Sequence, residues 1–232
     1  IVGIGILPNT EMAEAARNLG LAYLGISDHS KSSFQANGLD EGRLLTQIAA
    51  IRELDTELDD LDLYAGNEVD ILRDGSLDFE DEVLAKLDYV VASVHASFGL
   101  TESEMTARII KAMENPHVTM LGHLSGRLLL RREPYSVNHG KIIDCAAETR
   151  TVIELNCAAQ RMDMDWKWWR RARDKGVKCA INPDAHHVDG LQNLHFGIRI
   201  ARKGWLRRED VLNCLSAGDM KTWLGTPKEQ RP

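Results

Sequence analysis

Short apolar runs alternate with longer amphipathic stretches along most of the chain. Between the runs, apolar residues recur at three- and four-residue spacing, as at Leu44, Ile48 and Ile51, which is the period of a helix with one buried face. The alternation predicts an α/β protein with a parallel sheet. Seven runs are short and often β-branched, as buried strands are, and lie at residues 1–7, 23–26, 61–66, 89–94, 118–122, 151–155 and 177–181.

Polar side chains follow six of these runs, at or near the point where each predicted strand ends. In a barrel of parallel strands, the carboxyl ends of the strands gather on one rim. Taken singly, each residue has a structural explanation, such as a cap or a salt bridge. Together they would crowd carboxylates and imidazoles into one cleft, where like charges repel unless a cation binds among them. The sequence therefore predicts a metal centre formed by His29, Glu68, His95, His123, Asp184 and His186, with the amide of Asn156 at the end of a further strand.

The length and composition predict one domain. A chain of 232 residues with 44% hydrophobic composition can bury one large core, and barrels of this length are commonly single domains. No repeat, low-complexity tract or linker divides the sequence. We expect a single domain over residues 1–224, followed by a polar, unstructured tail at 225–232. The strand-like start without an initiator Met leads us to expect a piece of a longer polypeptide.

Charge and cysteine content narrow the class of protein further. The formal charge of −7 argues against nucleic-acid binding by bulk electrostatics, although a local cationic patch stays possible. No segment has the length of a membrane span or the pattern of a signal peptide. The four cysteines form no C-x-x-C pair, so we expect reduced, buried thiols in a cytoplasmic protein at Cys145, Cys157, Cys179 and Cys214.

The chemistry of the candidate ligands points to a reaction class. Imidazole and carboxylate ligands without thiolate suit Zn, Mn or Fe. Several such ions close together stabilise the attacking and leaving oxygens of a phosphate ester and lower the pKa of a bound water. Phosphoester hydrolysis is therefore the predicted reaction.

Several segments resemble a known family, the PHP (polymerase and histidinol phosphatase) domains. The motif segments are SDHS at 27–30, GNEVD at 66–70, VASVH at 91–95, LGH at 121–123 and NPDAH at 182–186. The segments ILRDGSLD at 71–78 and GRLLLRREPY at 126–135 resemble the version at the C-terminus of bacterial family X DNA polymerases. The resemblance covers nearly the whole chain, from about residue 11 to residue 223.

The resemblance implies a distorted seven-stranded (β/α)7 TIM-like barrel with up to three divalent ions at the strand carboxyl ends. It implies that Glu68, His95 and His123 hold one ion and that Glu68 bridges to a second, which Asp184 also binds. His29 and His186 would belong to the third. The attacking hydroxide would be bound to ions held by Glu68, Asp184 and His186.

The first strand departs from the family pattern. That pattern has two histidines separated by one residue, then a Ser-Asp-Gly loop whose aspartate is also a ligand. Here residues 4–7 run directly into Pro8. Two explanations stay open: either the natural protein has a loop between Leu7 and Pro8 that this sequence lacks, or the loop has been lost and the second and third ions lack ligands.

Cationic and aromatic residues give weaker signals. Arg127 and Lys31 could bind a substrate phosphate, or each could form a surface salt bridge. Arg131 and Arg132 could follow a nucleic-acid backbone. The tryptophans at 166–169 could stack on bases, but their spacing favours a helix that packs Trp166 and Trp169 on the barrel wall, and the cationic segment 202–208 is typical of a turn between two helices. We expect His117, His139 and His195 not to be ligands and leave His187 open.

Three functions are consistent with these residues. The first is a metal-dependent phosphoesterase acting on DNA 3′ ends, as the 3′-5′ exonuclease or end-processing module of a family X polymerase, with polymerase domains upstream. The second is a small-molecule phosphatase like histidinol phosphatase. The third is a degenerate, non-catalytic PHP module.

Overall fold

The computed structural model describes residues 9–232, and within them six strands form a single sheet. All neighbouring strands are parallel, and their order in the sheet follows the chain. This confirms the predicted α/β class with a parallel sheet. The predicted strand at 1–7 lies outside the described residues. The strands are β1 (Tyr23–His29), β2 (Asp62–Asp70), β3 (Tyr89–Ser93), β4 (Met120–Leu121), β5 (Val152–Asn156) and β6 (Cys179–Asn182).

Helices separate the strands, as the alternating pattern predicts. The described helices are α1 (Asn9–Asn18), α2 (Glu41–Thr56), α3 (Asp81–Leu84), α4 (Glu102–Met113), α5 (His139–Thr149), α6 (Trp166–Asp174), α7 (Leu194–Lys203) and α8 (Ala217–Gly225). Leu44, Ile48 and Ile51 of α2 are buried, as their spacing predicts. Apolar residues of the strands and helices together form one large core.

Strand lengths differ from the apolar runs in a way that matters for the site. β1 and β2 continue three or four residues past the predicted ends, and His29 pairs in register with Glu68. His29 and Glu68 are therefore part of the sheet, where hydrogen bonds between neighbouring strands satisfy their backbone N–H and C=O groups. β4 is shorter than predicted, although Gly122 N still donates to Ala92 O at 2.9 Å.

The close packing of a neighbouring aromatic ring explains why position 66 is a glycine. A Cβ atom there would lie 2.2 Å from Cζ of Tyr89, well inside van der Waals contact. The buried Tyr89 ring thus packs directly on the β2 backbone two residues before Glu68. Any larger residue would force the ring away from the strand that carries this carboxylate.

The segment at the C-terminus is ordered, so the prediction of an unstructured tail was wrong. Residues Lys228–Gln230 form a short 3-10 helix. Lys228 is buried and donates from Nζ to the carbonyl oxygens of Met113 at 2.6 Å and Asn115 at 3.1 Å. These carbonyls lie at the end of α4, where helical acceptors lack partners. Arg231 is also buried, with its guanidinium 4.3 Å from the Trp223 ring centroid.

Two smaller predictions need correction. Cys145, Cys157 and Cys179 are free and buried, but Cys214 is free and exposed. Trp169 is fully buried, whereas Trp166 is 43% exposed. The chain at Gly204 packs directly against this turn of α6, where its Cβ would lie 2.7 Å from Trp169 Cβ and 3.2 Å from Trp166 O. That contact leaves no room for a second indole beneath it.

In the part of the chain that the structure describes, no helix is both long and apolar enough to span a bilayer. The longest of the described helices, α2, has 16 residues.

Removing the hydroxyl that caps α4 should destabilise the fold modestly. Thr101 Oγ1 accepts from Glu104 N at 3.3 Å, and Glu104 Oε2 accepts from Thr101 N at 2.9 Å. We expect Thr101→Ala to lower the free energy of unfolding by about 1 kcal/mol. Thr46→Ala, in the interior of α2, should change it by less than about 0.5 kcal/mol. Urea unfolding measures both, and equal effects would show that the cap contributes nothing.

Candidate metal centre

Four of the predicted ligands, three imidazoles and the carboxylate that they surround, meet at the carboxyl ends of the strands. Glu68 Oε1 lies 3.0 Å from His123 Nε2 and 3.3 Å from His95 Nε2. Its other oxygen, Oε2, lies 3.5 Å from His29 Nδ1. The rings of His29 and His95 are 4.9 Å apart, and those of His95 and His123 are 5.1 Å apart. The parallel sheet thus gathers side chains from four strands, as expected of strand carboxyl ends.

The charges of this cluster are strongly coupled. Burial by itself would raise the pKa of Glu68, but the nearby His29 and His95 and the hydrogen bond from His123 outweigh it, and the pKa lies well below its usual value. Burial lowers the pKa of His95, yet Glu68 and Asp70 raise it to about 10. Burial also lowers the pKa of His29, and here it prevails. The cluster therefore keeps a buried carboxylate ionised among imidazoles.

Unpartnered nitrogen atoms show that the cluster fits a cation. His29 Nδ1, His95 Nε2 and His123 Nδ1 are buried and have no hydrogen-bond partner among the described residues. The 3.3 Å approach of His95 Nε2 to Glu68 is a close ionic contact whose geometry is not that of a hydrogen bond. One ligand atom each from His29, Glu68 and His95 lies within 4.8 Å of the others. These three residues therefore form a group that could hold one ion.

Asp184 and His186 lie at the other side of the same cavity. Asp184 Oδ2 accepts from Asn156 Nδ2 at 3.0 Å and lies 3.4 Å from Arg161 Nε. Its φ of +50° is uncommon for a residue other than glycine and is enriched at functional sites. His186 is exposed, and its ring lies 6.3 Å from that of His29. All six predicted ligands line one cavity of about 530 Å³.

Two buried carboxylates beside the ligands escaped the sequence interpretation. Asp70 makes a short contact through Oδ1 with His95 Nδ1, which fixes the ring so that Nε2 faces Glu68. Glu154 accepts from His123 N at 2.6 Å and from Asn182 Nδ2 at 2.9 Å. Burial raises the pKa of Glu154. Glu154 could have been identified from the sequence, because it lies inside the apolar run 151–155 and a charged residue in a buried strand needs a partner.

The two predicted phosphate-binding residues lie away from the cavity. Lys31 is exposed and pairs with Glu41 at 2.5 Å. Arg127 donates to the carbonyl of Arg161 at 2.9 Å, makes a short bond to that of Met162, and pairs with Asp165 at 3.1 Å. Both therefore show the salt bridges that were the alternative to a substrate contact. The cations that line the cavity are instead Arg73, Arg108, Arg132 and Arg161.

Alanine substitutions of Arg127 and Lys31 should differ in their effect on the free energy of unfolding. Arg127→Ala leaves two carbonyls without their donor, so we expect a loss of about 1–3 kcal/mol in the free energy of unfolding. Lys31→Ala removes only an exposed ion pair, for which a change below about 1 kcal/mol is typical. Thermal unfolding measures both. A larger loss for Lys31→Ala than for Arg127→Ala would contradict the assignment.

A larger depression of about 700 Å³ lies elsewhere, at the start of β2. It is lined by Asp62, Arg52, Lys86 and Lys221 among others, and no imidazole from the described residues lines it. Sites in barrels of this kind form at the carboxyl ends of the strands. We therefore place the candidate site in the smaller, histidine-lined cavity.

Known proteins share sequence and fold with this chain. No protein-family model matches the chain. Over 214 residues it is 39% identical to a DNA polymerase/3′-5′ exonuclease PolX of Bacillus subtilis (strain 168), which covers 92% of this chain and 38% of that protein. It is 25% identical over 231 residues to a probable phosphatase of Thermoanaerobacter sp. (strain X514), with 95% of this chain and 89% of the phosphatase covered. The chain thus spans less than two fifths of the length of the Bacillus protein.

A solved structure shares the fold. The chain matches the crystal structure of histidinol phosphate phosphatase from Lactococcus lactis, complexed with Zn, L-histidinol and phosphate, at a TM-score of 0.61 and 15% identity. The match covers 86% of this chain and 88% of that one. At this identity it speaks for the fold alone. The sequence relatives show that the chain is homologous to a region of the Bacillus PolX polymerase and to probable bacterial phosphatases.

Proposed function

We propose that this chain is a metal-dependent phosphoesterase that acts on DNA 3′ ends. The observation that carries the proposal is the approach of three imidazoles to the buried carboxylate of Glu68, in a cavity that is also lined by cationic side chains. The sequence relatives support a hydrolase, since they include a 3′-5′ exonuclease and a probable phosphatase.

The residues divide into two groups by what they would do. His29, Glu68, His95, His123, Asp184 and His186 would hold divalent ions, and Asp70 would orient His95 for that role. When bound, such ions would activate a water molecule and stabilise charge on the phosphoryl oxygens. We propose that these ions are Zn, Mn or Fe, up to three in all. The histidine pair and the loop aspartate of the family pattern, which the sequence lacks before Pro8, would be needed to complete the second and third sites.

Three arginines would bind the substrate phosphate. Arg161 lies 3.4 Å from Asp184, at the edge of the ligand cluster. Arg132 lies over the Phe98 ring at 4.4 Å from its centroid, and Arg73 is exposed at the cavity wall. Guanidinium groups pair with phosphate oxygens through two parallel hydrogen bonds. These residues replace Lys31 and Arg127 in our proposal, because they line the cavity and Lys31 and Arg127 do not.

The choice of DNA rests on the relationship to PolX. The 39% identity to that protein exceeds the 25% identity to the probable phosphatase. The second candidate is a small-molecule phosphatase like histidinol phosphatase, which the fold match to such an enzyme favours. The third candidate, a non-catalytic module, would hold at most one ion tightly.

We further propose that the chain is part of a longer protein. Residues 1–224 form one domain of a longer cytoplasmic polymerase with polymerase domains upstream. We also propose that the complete domain is a seven-stranded (β/α)7 barrel.

The test is a direct assay of both substrates on the purified chain. A primer with a labelled 5′ end and histidinol phosphate are each incubated with Mn²⁺ or Zn²⁺, with a chelator as the blank. We expect the primer to be shortened and histidinol phosphate to persist. Turnover of histidinol phosphate alone would reject the DNA assignment in favour of the phosphatase.

Arg161→Ala and a matched Arg127→Lys variant sharpen the assay. Loss of Arg161 should raise KM for the primer by about tenfold, since a charged hydrogen bond contributes roughly 1.5–3 kcal/mol. Arg127→Lys keeps the charge outside the cavity and should leave KM unchanged. No turnover of either substrate by metal-loaded protein would leave the non-catalytic module as the function.

A further inference from the structure

The outer face of α6 and α7 carries a dense group of cations and exposed tryptophans. Residues 166–175 and 199–208 contain ten of the 28 lysines and arginines of the chain and a single acid, Asp174. Trp166 is 43% exposed and Trp205 is 65% exposed. We name this surface, formed by residues 166–175 and 199–208, the α6–α7 patch. It contrasts with the formal charge of −7 on the whole chain.

Cations and rings alternate within the patch. Lys203 Nζ lies 4.5 Å from the centroid of the Trp166 ring, and the guanidinium of Arg170 lies 5.9 Å from that of Trp205. Trp166 and Arg170 are one turn apart on α6, so they share a face of the helix. The two cross-helix contacts therefore set each aromatic ring beside a positive charge from the other segment.

Half of the cations in the patch have no acidic partner within the described residues. Asp174 lies near Arg170 at 4.0 Å and Arg173 at 2.7 Å. Asp144 of α5 pairs with Arg171 and Lys175, and Glu209 lies 3.6 Å from Arg207. The cations of the patch that form no such ion pair are Lys167, Arg199, Arg202, Lys203 and Arg208.

Trp205 occupies an unusual backbone position for its size. It follows α7 with a φ of +65°, in the left-handed region that favours glycine or asparagine after a helix. Its carbonyl accepts from Arg173 Nη1 at 2.8 Å. An exposed indole here gains little from burial and adopts a strained conformation. Its presence is therefore better explained by a contact with another molecule than by the stability of this domain.

We propose that the α6–α7 patch binds single-stranded nucleic acid. Lysine and arginine side chains would follow the phosphates, while Trp166 and Trp205 would stack on bases. Every base has a planar face, so such stacking is tolerant of sequence. A single strand is favoured over a duplex, because paired bases are already stacked on each other. An acidic peptide would satisfy the cations but would give the two indoles no planar partner.

The patch is separate from the metal centre, yet a loop joins their surroundings. Arg127 pairs with Asp165, the residue that caps α6. The same loop continues to Arg132, which lines the metal cavity. Lys167 of the patch and Arg132 also line one depression, so a strand bound at Lys167 would lie next to this loop. Binding on the patch does not require the metal centre to be active.

The test measures binding without hydrolysis. Fluorescence anisotropy follows a fluorescein-labelled oligothymidylate of about 15 nucleotides, within the length that one such site covers, in EDTA and at low salt. The double variant Arg170→Glu with Lys203→Glu should raise Kd by at least about tenfold. It should also lower the slope of log Kd against log salt by about 0.7 for each phosphate that no longer pairs with a cation. Lys86→Glu with Lys221→Glu, on the depression at the start of β2, makes the same charge change and should shift Kd less than about twofold.

Trp205→Asn isolates the stacking contribution. Asparagine accepts the left-handed conformation, so the variant should fold at least as well as the wild type. We expect it to raise Kd by about tenfold, the range for removing one stacked ring. The proposal is overturned by any of three results: no binding of the single strand by the wild type, equal Kd values for patch and control variants, or tighter binding of a duplex that Trp205→Asn leaves unchanged. A concentration-dependent dimer that the patch variants abolish would also overturn it, by assigning the surface to a second copy.

Discussion

Replacing Glu68 with glutamine should abolish tight metal binding and phosphoester hydrolysis together. Within residues 9–232, Glu68 is the only carboxylate that approaches His29, His95 and His123 at once. The amide keeps the shape of the side chain but removes the charge that a divalent ion needs. Loss of an outer hydrogen-bond partner of a ligand typically costs 10- to 100-fold in metal affinity, so loss of this ligand should cost more than about 100-fold.

Metal content after dialysis and competition with a chromophoric chelator measure the effect. The matched control is Glu41→Gln, which removes an exposed carboxylate paired with Lys31 and should leave both metal affinity and activity unchanged. Circular dichroism establishes that both variants fold. If Glu68→Gln bound Zn²⁺ or Mn²⁺ as tightly as the wild type, Glu68 would not be a ligand.

Metal affinity should rise steeply with pH, because an ion must displace a proton from His95. In the metal-free protein, burial lowers the pKa of His95, but Glu68 and Asp70 raise it to about 10. His29 has a lowered pKa and Glu68 is ionised, so neither has a proton to release near pH 8. We expect about one proton released per ion and an apparent association constant that rises about tenfold per pH unit between roughly pH 7 and 9.

The proton on His95 also affects the stability of the metal-free fold. That stability should fall as pH rises, whereas metal affinity should increase. The folded pKa of His95 lies above its ordinary value of 6.5. The resulting stabilisation is complete below pH 6.5 and is lost as pH rises through about 10. The Tm of metal-free protein should therefore fall over this window and that of the metal-loaded protein should fall less.

Calorimetric titration in buffers of different ionisation enthalpy counts the released protons. His95→Gln should remove the pH dependence, whereas His139→Gln should keep it, because His139 stacks on Trp168 away from the cavity. A pH-independent association constant in the wild type would refute the role given to His95.

The alternating pattern of the sequence was enough to predict the parallel sheet and the placement of its polar ends. Each apolar run in the described residues corresponds to a strand, and His29, Glu68, His95 and His123 lie together as their positions at strand ends require. Such residues are predictable because parallel strands bring their carboxyl ends to one side whatever the loops between them do.

Contacts that depend on loops were not predictable in this way. Arg127 and Arg161 both follow strands, but only Arg161 reaches the cavity, because Arg127 is held by carbonyls of the segment after β5. Lys228 and Arg231 lie in a polar tail whose order comes in part from acceptors more than a hundred residues away in sequence. Trp166 was misplaced because helical periodicity cannot show that Gly204 packs beside it.

The most direct measurement is anomalous X-ray diffraction from crystals of the purified protein, collected above and below the absorption edge of the bound metal. We expect a peak about 2.0–2.2 Å from a Glu68 oxygen and from imidazole nitrogens of the surrounding histidines. A crystal grown with excess Zn²⁺ or Mn²⁺ that shows no peak among Glu68, His95 and His123 would contradict it.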